Sequence, residues 1–479
     1  MTQDISIQLT TEIKQLVTVD QAWHYGIIPK STDDRQINFY IEEQKNTLLI
    51  QNELEMLFGK RVDLQPLPAD QIQKALGVHY RKGHKNVRAK QLALVNNEAD
   101  DFLFSMVTEA NALGSSDIHI EAYEEKCRVR MRIDGRLVER YVLNQRDYPA
   151  LINKIKIKSN LDIAEKRLPQ DGRIYFTSNA EKFDIRVSIL PALYGEKVVL
   201  RLLSKDITNI DVAELGFDDA QLQHYLEAIK KPHGIILISG PTGSGKTTTL
   251  YATLKVLNKE TTNILTIEDP IEYTLEGINQ VQLRENIGLT FASALRTFLR
   301  QDPDIIMLGE IRDAETAQMA IRAALTGHLV LSTIHTNSAW GTITRLMDMG
   351  IPSFLIANTV NLSAAQRLVR LLCPHCKEEA ELSRGMFPPF YIQPRQLTSH
   401  FIATGCEYCF YTGYRGRKAI YELIPVDKDL SDQIRNGTTN PDTALNKRSI
   451  TRLSSAAFAL LEKGQTSIEE VYSIMMNNV

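Results

Sequence analysis

The stretch that decides the fold is Gly240-Pro241-Thr242-Gly243-Ser244-Gly245-Lys246-Thr247. It follows the apolar run Ile235–Ile238 and leads into Thr248–Leu257, which gives the order of strand, glycine-rich turn and helix typical of a phosphate-binding loop. In such a loop, backbone amides surround the phosphates, the lysine reaches the terminal phosphoryl groups, and the threonine hydroxyl can hold Mg²⁺. A turn that merely caps a helix is the alternative, but a lysine and a threonine in register argue against it. We therefore predict that Gly240 through Thr248 bind a nucleoside triphosphate with Mg²⁺.

Two apolar runs further along the chain end in acidic residues. Asn263–Ile267 is followed by Glu268, and Asp304–Leu308 is followed by Gly309 and Glu310. We interpret both apolar runs as buried parallel strands. The carboxyl ends of such strands face the ligand crevice of an α/β sheet, so both acidic residues can reach the phosphates. Glu310 is the predicted base that orients the attacking water, and Glu268 is predicted to hold the water shell of the metal. A helix N-cap is the structural alternative for either carboxylate.

A third buried strand is predicted within Thr326–Thr336, with His335 at its carboxyl end. An imidazole at that end could sense whether the γ-phosphate is present. A histidine satisfied by structural contacts is the alternative, and His335 is not predicted to bind a metal.

Four cysteines form two C-x₂-C pairs about thirty residues apart, a spacing typical of one tetrahedral Zn²⁺ site. The predicted ligands are Cys373, Cys376, Cys406 and Cys409. Four thiolates leave no open position for chemistry, so the zinc is expected to be structural. Cysteines buried without a metal are the alternative, and Cys127 is interpreted in that way, as a small buried hydrophobe.

Length and charge restrict the classes of function. A chain of 479 residues can form about three domains, each with its own core. A formal net charge of −3 gives no basic field of the kind that attracts nucleic acid. No apolar run is long enough for a transmembrane segment, and the N-terminus lacks the apolar core of a signal peptide. We therefore expect a cytosolic protein that would act at a membrane by docking on a partner.

Four segments of the chain resemble the nucleotide motifs of the secretion ATPases, the hexameric motors of type II secretion and type IV pilus assembly. They are the phosphate loop, Thr266–Tyr273, Leu299–Asp313 and Thr326–Thr336. In that family the second and the fourth segments are called the aspartate and histidine boxes. In the third segment of that family, Gly-Glu usually follows the apolar run, as Gly309 and Glu310 do here. The resemblance runs from about Asp100 to Glu422, and Gly413–Arg417 after the cysteines also matches.

The resemblance implies a fold, an activity and partners. The implied fold is α/β, with a RecA-like P-loop ATPase core preceded by a PAS-like α+β domain and a small N-terminal module, and with a C-terminal tetracysteine zinc subdomain. Within that family, the sequence most resembles the type II secretion assembly ATPases, which hydrolyse ATP and assemble pilin-like subunits. The implied partners are an inner-membrane platform protein and a cytoplasmic-domain anchor protein. The implied assembly is a homohexamer that is cytoplasmic and peripherally associated with the inner membrane. Coupling would require a hinge, which we place in Ser204–Leu215.

The resemblance also assigns arginines to the nucleotide. The predicted core offers no obvious arginine of its own beside the phosphate loop, although phosphoryl transfer concentrates negative charge there. In that family, arginines of the second domain approach the nucleotide, and motif matches carry this role to Arg173, Arg186 and Arg201. A solvated surface position is the alternative for each. The alternation within Cys127–Ile133 instead predicts a strand with its arginines on the wet face.

Composition and resemblance together divide the chain into segments. The predicted segments are a docking module (1–80), a linker (81–92), the PAS-like domain (93–204), an interdomain linker (205–218), the ATPase core (219–372), the zinc subdomain (373–425) and a C-terminal helical segment (426–479).

Three other functions share part of these features. A type IV pilus extension ATPase has the same core motifs. A nucleic-acid-translocating RecA-like ATPase is disfavoured by the charge balance. A catalytically inactive scaffold is disfavoured because Lys246, Thr247, Glu268 and Glu310 are all present.

Overall fold

The computed structural model describes residues 9–43, 45, 47–80, 90–92, 99–178, 181–203, 210–382, 385–438 and 441–476. The described chain groups into two compact units. Met1–Val87, Arg370–Gly416 and Ala457–Val479 contribute to one unit, and Arg88–Val369 and Arg417–Ala456 contribute to the other. Most of the predicted linker 81–92, and residues 204–209 of the predicted hinge and interdomain linker, lie outside the described residues. The segment boundaries therefore stay predictions.

The N-terminal part of the first unit is a small α/β module built on three strands, with β1 and β2 antiparallel and β2 and β3 parallel. Its core contains the fully buried side chains of Phe39, Ile41, Leu54 and Ile72. The elements are α1 (Thr11–Gln15), α2 (Val19–Tyr25), β1 (Ile27–Thr32), β2 (Gln36–Glu42), α3 (Thr47–Phe58), β3 (Arg61–Leu67) and α4 (Ala69–His79).

The second unit begins with a sheet in the order β4-β7-β6-β5-β10-β9-β8. Its neighbouring strands are antiparallel except for β4 and β7. Its elements are β4 (Lys90–Leu92), α5 (Ala99–Ala112), β5 (Asp117–Ala122), β6 (Cys127–Ile133), β7 (Arg136–Leu143), α6 (Tyr148–Lys158), β8 (Gln170–Ser178), β9 (Glu181–Ala192) and β10 (Gly195–Leu203). The predicted alternating strand is β6, whose residues alternate between buried and half-buried.

A second sheet of this unit carries the phosphate loop. Its elements are α7 (Asp219–Ile229), β11 (Gly234–Ser239), α8 (Lys246–Leu257), β12 (Ile264–Glu268), β13 (Asn279–Gln282), α9 (Phe291–Phe298), β14 (Ile305–Leu308), α10 (Ala314–Leu325), β15 (Leu329–Ile334), α11 (Ala339–Asp348), α12 (Ser353–Thr359) and β16 (Val360–Leu372). The strand order is β13-β12-β14-β15-β11-β16, and β19 follows at the edge. Every residue of β11, β12, β14 and β15 is buried, which explains their continuous apolar runs. These strands are parallel, so their carboxyl ends lie at one edge of the sheet.

The described residues after β16 form a short antiparallel strand pair, the strand β19 and four helices. The elements are β17 (Lys377–Glu381), β18 (Ser399–Ala403), β19 (Tyr414–Pro425), α13 (Lys428–Arg435), α14 (Asp442–Lys447), α15 (Leu453–Glu462) and α16 (Ile468–Met476). The antiparallel pair β17 and β18 lies between the two cysteine pairs in the chain. No helix in the described ranges is long and apolar enough to cross a membrane.

Candidate active site

The phosphate loop has the predicted order of strand, turn and helix, except that the helix begins at Lys246, two residues earlier than expected. Its glycines have positive φ angles, and Gly240 and Gly245 also lack room for a side chain. A Cβ on Gly240 would stand 2.5 Å from the backbone carbonyl oxygen of Gln366, and one on Gly245 would stand 2.8 Å from the side-chain Nε2 of Gln366. The loop is therefore shaped by its close approach to β16.

Lys246 is the half-buried cation of the loop. Its Nζ donates to the carbonyl oxygens of Gly240, at 2.7 Å, and Pro241, at 3.1 Å. Burial lowers the pKa of Lys246, the Glu310 carboxylate raises it, and Arg367 lowers it further. The Glu310 carboxylate and the Lys246 ammonium therefore lie within each other's electrostatic influence, as expected for groups at one edge of the sheet, although β15 separates the strands that precede them.

Glu310, which follows β14, pairs with the side chains of Arg312 and His335. Its Oε2 lies 3.1 Å from His335 Nε2, and its Oε1 accepts a hydrogen bond from Arg312 Nη2. Arg312 also reaches Asp269 Oδ2 at 3.2 Å. Partial burial alone would raise the pKa of Glu310, but Arg312 and His335 outweigh burial and lower the pKa below its ordinary value of 4.5. The carboxylate is thus ionised at neutral pH, the state that a general base needs.

The structure brings Glu310 and His335 together, as the parallel strands predict, and it adds Arg312, which sequence reasoning missed. The signal for Arg312 was its position two residues after Glu310 in the third motif. The catalytic roles of these residues stay predictions.

Glu268 lies in a different environment from Glu310. It is the last residue of β12, is only 3% exposed, and uses both carboxylate oxygens within the protein. Oε2 accepts from the Tyr251 hydroxyl, and Oε1 accepts from Thr266 Oγ1 at 2.6 Å and Gln280 Nε2 at 3.1 Å. Burial, followed by the Glu268 charge, raises the pKa of Tyr251, which keeps this donor protonated. The role of Glu268 at the water shell of the metal stays a prediction.

The expectation that the core has no arginine of its own beside the phosphate loop is wrong. Arg367, on β16, has its Nη1 atom 3.3 Å from the point where a Cβ on Gly240 would stand. The strand that carries it is parallel to β11 and directly beside it. This neighbour could not be identified from sequence, because nothing in the residues sets the order of the strands.

The three arginines assigned by resemblance pair with groups outside the phosphate loop. Arg173 pairs with Asp184, with Nε 2.6 Å from Oδ1, and the Arg201 Nε lies 3.0 Å from Asp117 Oδ1. Arg186 contacts the segment after β12, where it donates to the Ile271 carbonyl oxygen and lies 3.3 Å from the Glu272 carboxylate. The nucleotide role of Arg173, Arg186 and Arg201 therefore stays a prediction.

The cysteine pairs form a cluster suited to one metal ion. The Sγ atoms of Cys373, Cys376, Cys406 and Cys409 all lie within 4.8 Å of one another. Three sulfur pairs are separated by 3.7 to 3.8 Å. A tetrahedron with Zn–S bonds of about 2.3 Å has sulfur atoms about 3.8 Å apart, so the donor set matches zinc. Cys127 is fully buried in β6.

Comparison with known proteins gives a consistent picture. The family described as "Type II/IV secretion system protein" matches residues 96–473. The type II secretion system protein E of Pseudomonas aeruginosa is 42% identical over 448 residues, 88% of this chain and 89% of its own length. The type II secretion system ATPase E of Vibrio cholerae is 46% identical over 371 residues (77% and 74%). The type IV pilus assembly ATPase PilB of Myxococcus xanthus is 50% identical over 369 residues (74% and 64%).

Among solved structures, the pilus retraction motor PilT with bound ADP is similar, with a TM-score of 0.53 and 26% identity over 78% of this chain and 96% of that one. The mixed α/β fold and the resemblance to secretion ATPases, both expected from the sequence, are thereby confirmed. The chain belongs to the type II/IV secretion system protein family.

Proposed function

We propose that the protein is an ATP-hydrolysing motor that drives the assembly of pseudopilus subunits in type II protein secretion. The observation that carries the proposal is the meeting of the Lys246 phosphate loop with Glu310 and His335 at one edge of a parallel sheet. Glycine amides and a lysine suit a triphosphate, and a charged carboxylate held by Arg312 and His335 suits the orientation of a water molecule.

Each residue has a separate task in this proposal. Lys246 and the loop amides bind the phosphates, Glu310 orients the attacking water, and His335 responds to the γ-phosphate through its contact with Glu310. The Thr247 hydroxyl would hold Mg²⁺, with Glu268 near its water shell. That ion would neutralise charge on the phosphate oxygens.

Assembly and location are part of the same proposal. We expect a ring, since a head-to-tail interface that closes by rotation repeats the same subunit boundary. The resemblance to the hexameric secretion motors favours a homohexamer. The expected partners are an inner-membrane platform protein and a cytoplasmic-domain anchor protein, with no nucleic acid, at the cytoplasmic side of the inner membrane. ATP turnover per chain should therefore rise with protein concentration. Full turnover in a dilute sample that light scattering shows to be monomeric would contradict the ring.

The tetracysteine cluster is proposed to hold one structural zinc per chain. Cys376→Ser should release the metal and lower the melting temperature of that subdomain, because a site closed by thiolates contributes to folding. Nucleotide binding should persist. Metal analysis of the purified protein tests this proposal. A metal-free protein whose thiols all react under native conditions would contradict it.

A second candidate is the type IV pilus extension ATPase, which the 50% identity to PilB favours. The match to the Pseudomonas protein covers more of this chain, 88% against 74%, and it supports the secretion assignment. Deletion of the gene separates the two. We expect the deletion strain to lose export of type II substrates but to keep normal surface pili. The parent gene should restore export, whereas the Glu310→Gln gene should not. Loss of pili with normal export would favour the second candidate.

A further inference from the structure

We propose that Arg367 is a positioning residue of the ATP site, whose guanidinium holds the phosphate loop and the segment that follows His335 in a fixed relation. The inference rests on the proposed ATP hydrolysis and adds a residue that none of the nucleotide motifs contains. It also gives β16 a part in the chemistry, although this strand has no carboxylate or histidine at the site.

The position of Arg367 follows from strand register. In the parallel pairing of β11 and β16, Ser239 lies opposite Ala365. The next residue of β11's chain is Gly240, where the loop begins, so Gln366 and Arg367 lie along the first turn of the loop. The Thr249 hydroxyl donates to the buried Gln366 Oε1 at 2.9 Å, so β16 also contacts the helix that follows the loop.

The guanidinium contacts both sides of the site. Its Nη1 donates to the Gln366 carbonyl oxygen at 3.0 Å and stands against Gly240. Its Nη2 donates to the carbonyl oxygen of Asn337 at 3.0 Å, with Asn337 Oδ1 at 3.4 Å. Asn337 is two residues after His335, whose ring touches Glu310. One planar group thus lies against the start of the phosphate loop and is hydrogen-bonded to the segment that follows the histidine.

Arginine is suited to this task for a geometric reason. The guanidinium presents its donors in a rigid fork, whereas a lysine ammonium is a single point charge on a flexible stem. A lysine at this position would keep the positive charge but lacks the two separate, rigidly held nitrogens that reach the Gln366 and Asn337 carbonyl oxygens. Misplacement of a reacting group by about 1 Å can cost about a hundredfold in rate, so the fork should matter more for turnover than for binding.

A comparison of turnover with nucleotide affinity separates positioning from folding. Arg367 is half-buried, and its hydrogen bonds hold two backbone carbonyl oxygens beside the loop. A positioning residue should lower kcat much more than ADP affinity. A side chain that only supports folding would lower kcat, ADP affinity and melting temperature together.

The test uses the full-length chain with Arg367→Lys, Arg367→Gln and, as a matched control, Arg322→Gln, which removes an exposed arginine from α10. ATP turnover, ADP affinity and melting temperature are measured for each protein. Arg367→Lys should lower kcat by about tenfold or more, while ADP affinity stays within about twofold of the parent. Arg367→Gln should lower kcat at least as far as Arg367→Lys, because it removes both the charge and the fork, and Arg322→Gln should match the parent throughout.

Two results would overturn the inference. One is an Arg367→Lys protein whose kcat stays within about twofold of the parent. The other is an equal loss of kcat, ADP affinity and melting temperature in both Arg367 variants. A parent protein that binds ADP but never hydrolyses ATP would instead contradict the proposed function, and the inference with it.

Discussion

The two large sheets of the second unit use charged side chains in opposite ways. In the parallel sheet, Lys246, Glu310 and His335 stand beyond the carboxyl ends of buried strands and meet at one edge. In the antiparallel sheet, arginines stand within the strands and pair with carboxylates on the next strand, as Arg130 does with Glu121. Charges at converging strand ends are positioned for a ligand, whereas charges along a sheet face satisfy one another. Arg186 connects the two sheets.

Lys246→Ala should give the largest effect and tests the parallel sheet directly. Loss of the loop's ammonium removes the cation that reaches the terminal phosphates, so ATP affinity and turnover should fall together, turnover by at least about a hundredfold. Calorimetric titration with ATP and a phosphate-release assay measure both, with exposed Lys230→Ala as the control. Unchanged affinity in Lys246→Ala would remove the loop from the account.

Arg186→Ala tests the contact between the sheets and should have an intermediate effect. It removes the hydrogen bond to Ile271 and the ion pair with Glu272, close to the segment that ends in Glu268. We expect turnover to fall by about tenfold with little change in melting temperature, because a positioning contact is lost but no core is opened. Steady-state kinetics and thermal unfolding check this. Parent-like turnover would show that the two sheets act independently.

Arg312→Ala should shift a pH profile. Arg312 helps to keep the pKa of Glu310 below its ordinary value, so Glu310 stays ionised as the pH falls. Without that cation the pKa rises, the carboxylate takes up its proton at higher pH, and the acidic limb of kcat/KM moves upward. Arg296→Ala, which breaks an ion pair with Glu315 on the neighbouring helix, should leave the limb in place. An acidic limb unmoved by Arg312→Ala would exclude Glu310 as the group that titrates.

Arg173→Ala should have the smallest effect on stability. Its pair with Asp184 is partly exposed, and such pairs contribute at most about 1 kcal/mol to the free energy of unfolding. Denaturant unfolding measures this value, and a loss of several kcal/mol would show that the antiparallel sheet depends on its charges. Turnover of the same protein would also reveal any approach of Arg173 to the nucleotide, since a tenfold loss could not come from so weak a pair.

Much of the site could be predicted from sequence because parallel strands bring their ends together. Apolar runs ending in Glu310 and His335, with the glycine-rich loop, predicted the meeting of these groups without knowledge of the strand order. The tetracysteine cluster was predictable for a different reason, because each C-x₂-C pair places two sulfur atoms close together in the chain.

The remaining features depend on long-range register, which the residues do not reveal. The closeness of Arg367 to Gly240 requires β16 beside β11, and the enclosure of Glu268 by Tyr251 and Gln280 requires both a helix rotation and a strand pairing. The cross-strand partners of Arg173 and Arg201 depend likewise on pairing between strands far apart in the chain or joined by unpredictable turns.

The central claim is that Glu310 acts in hydrolysis and not in binding. Glu310→Gln keeps the size and most hydrogen-bonding capacity of the side chain but removes its charge. Side-by-side measurement of ATP affinity and single-turnover hydrolysis in purified parent and Glu310→Gln protein tests this claim most directly. We predict an affinity within about threefold of the parent and a hydrolysis rate lower by about a hundredfold or more. A hydrolysis rate near that of the parent would contradict the claim.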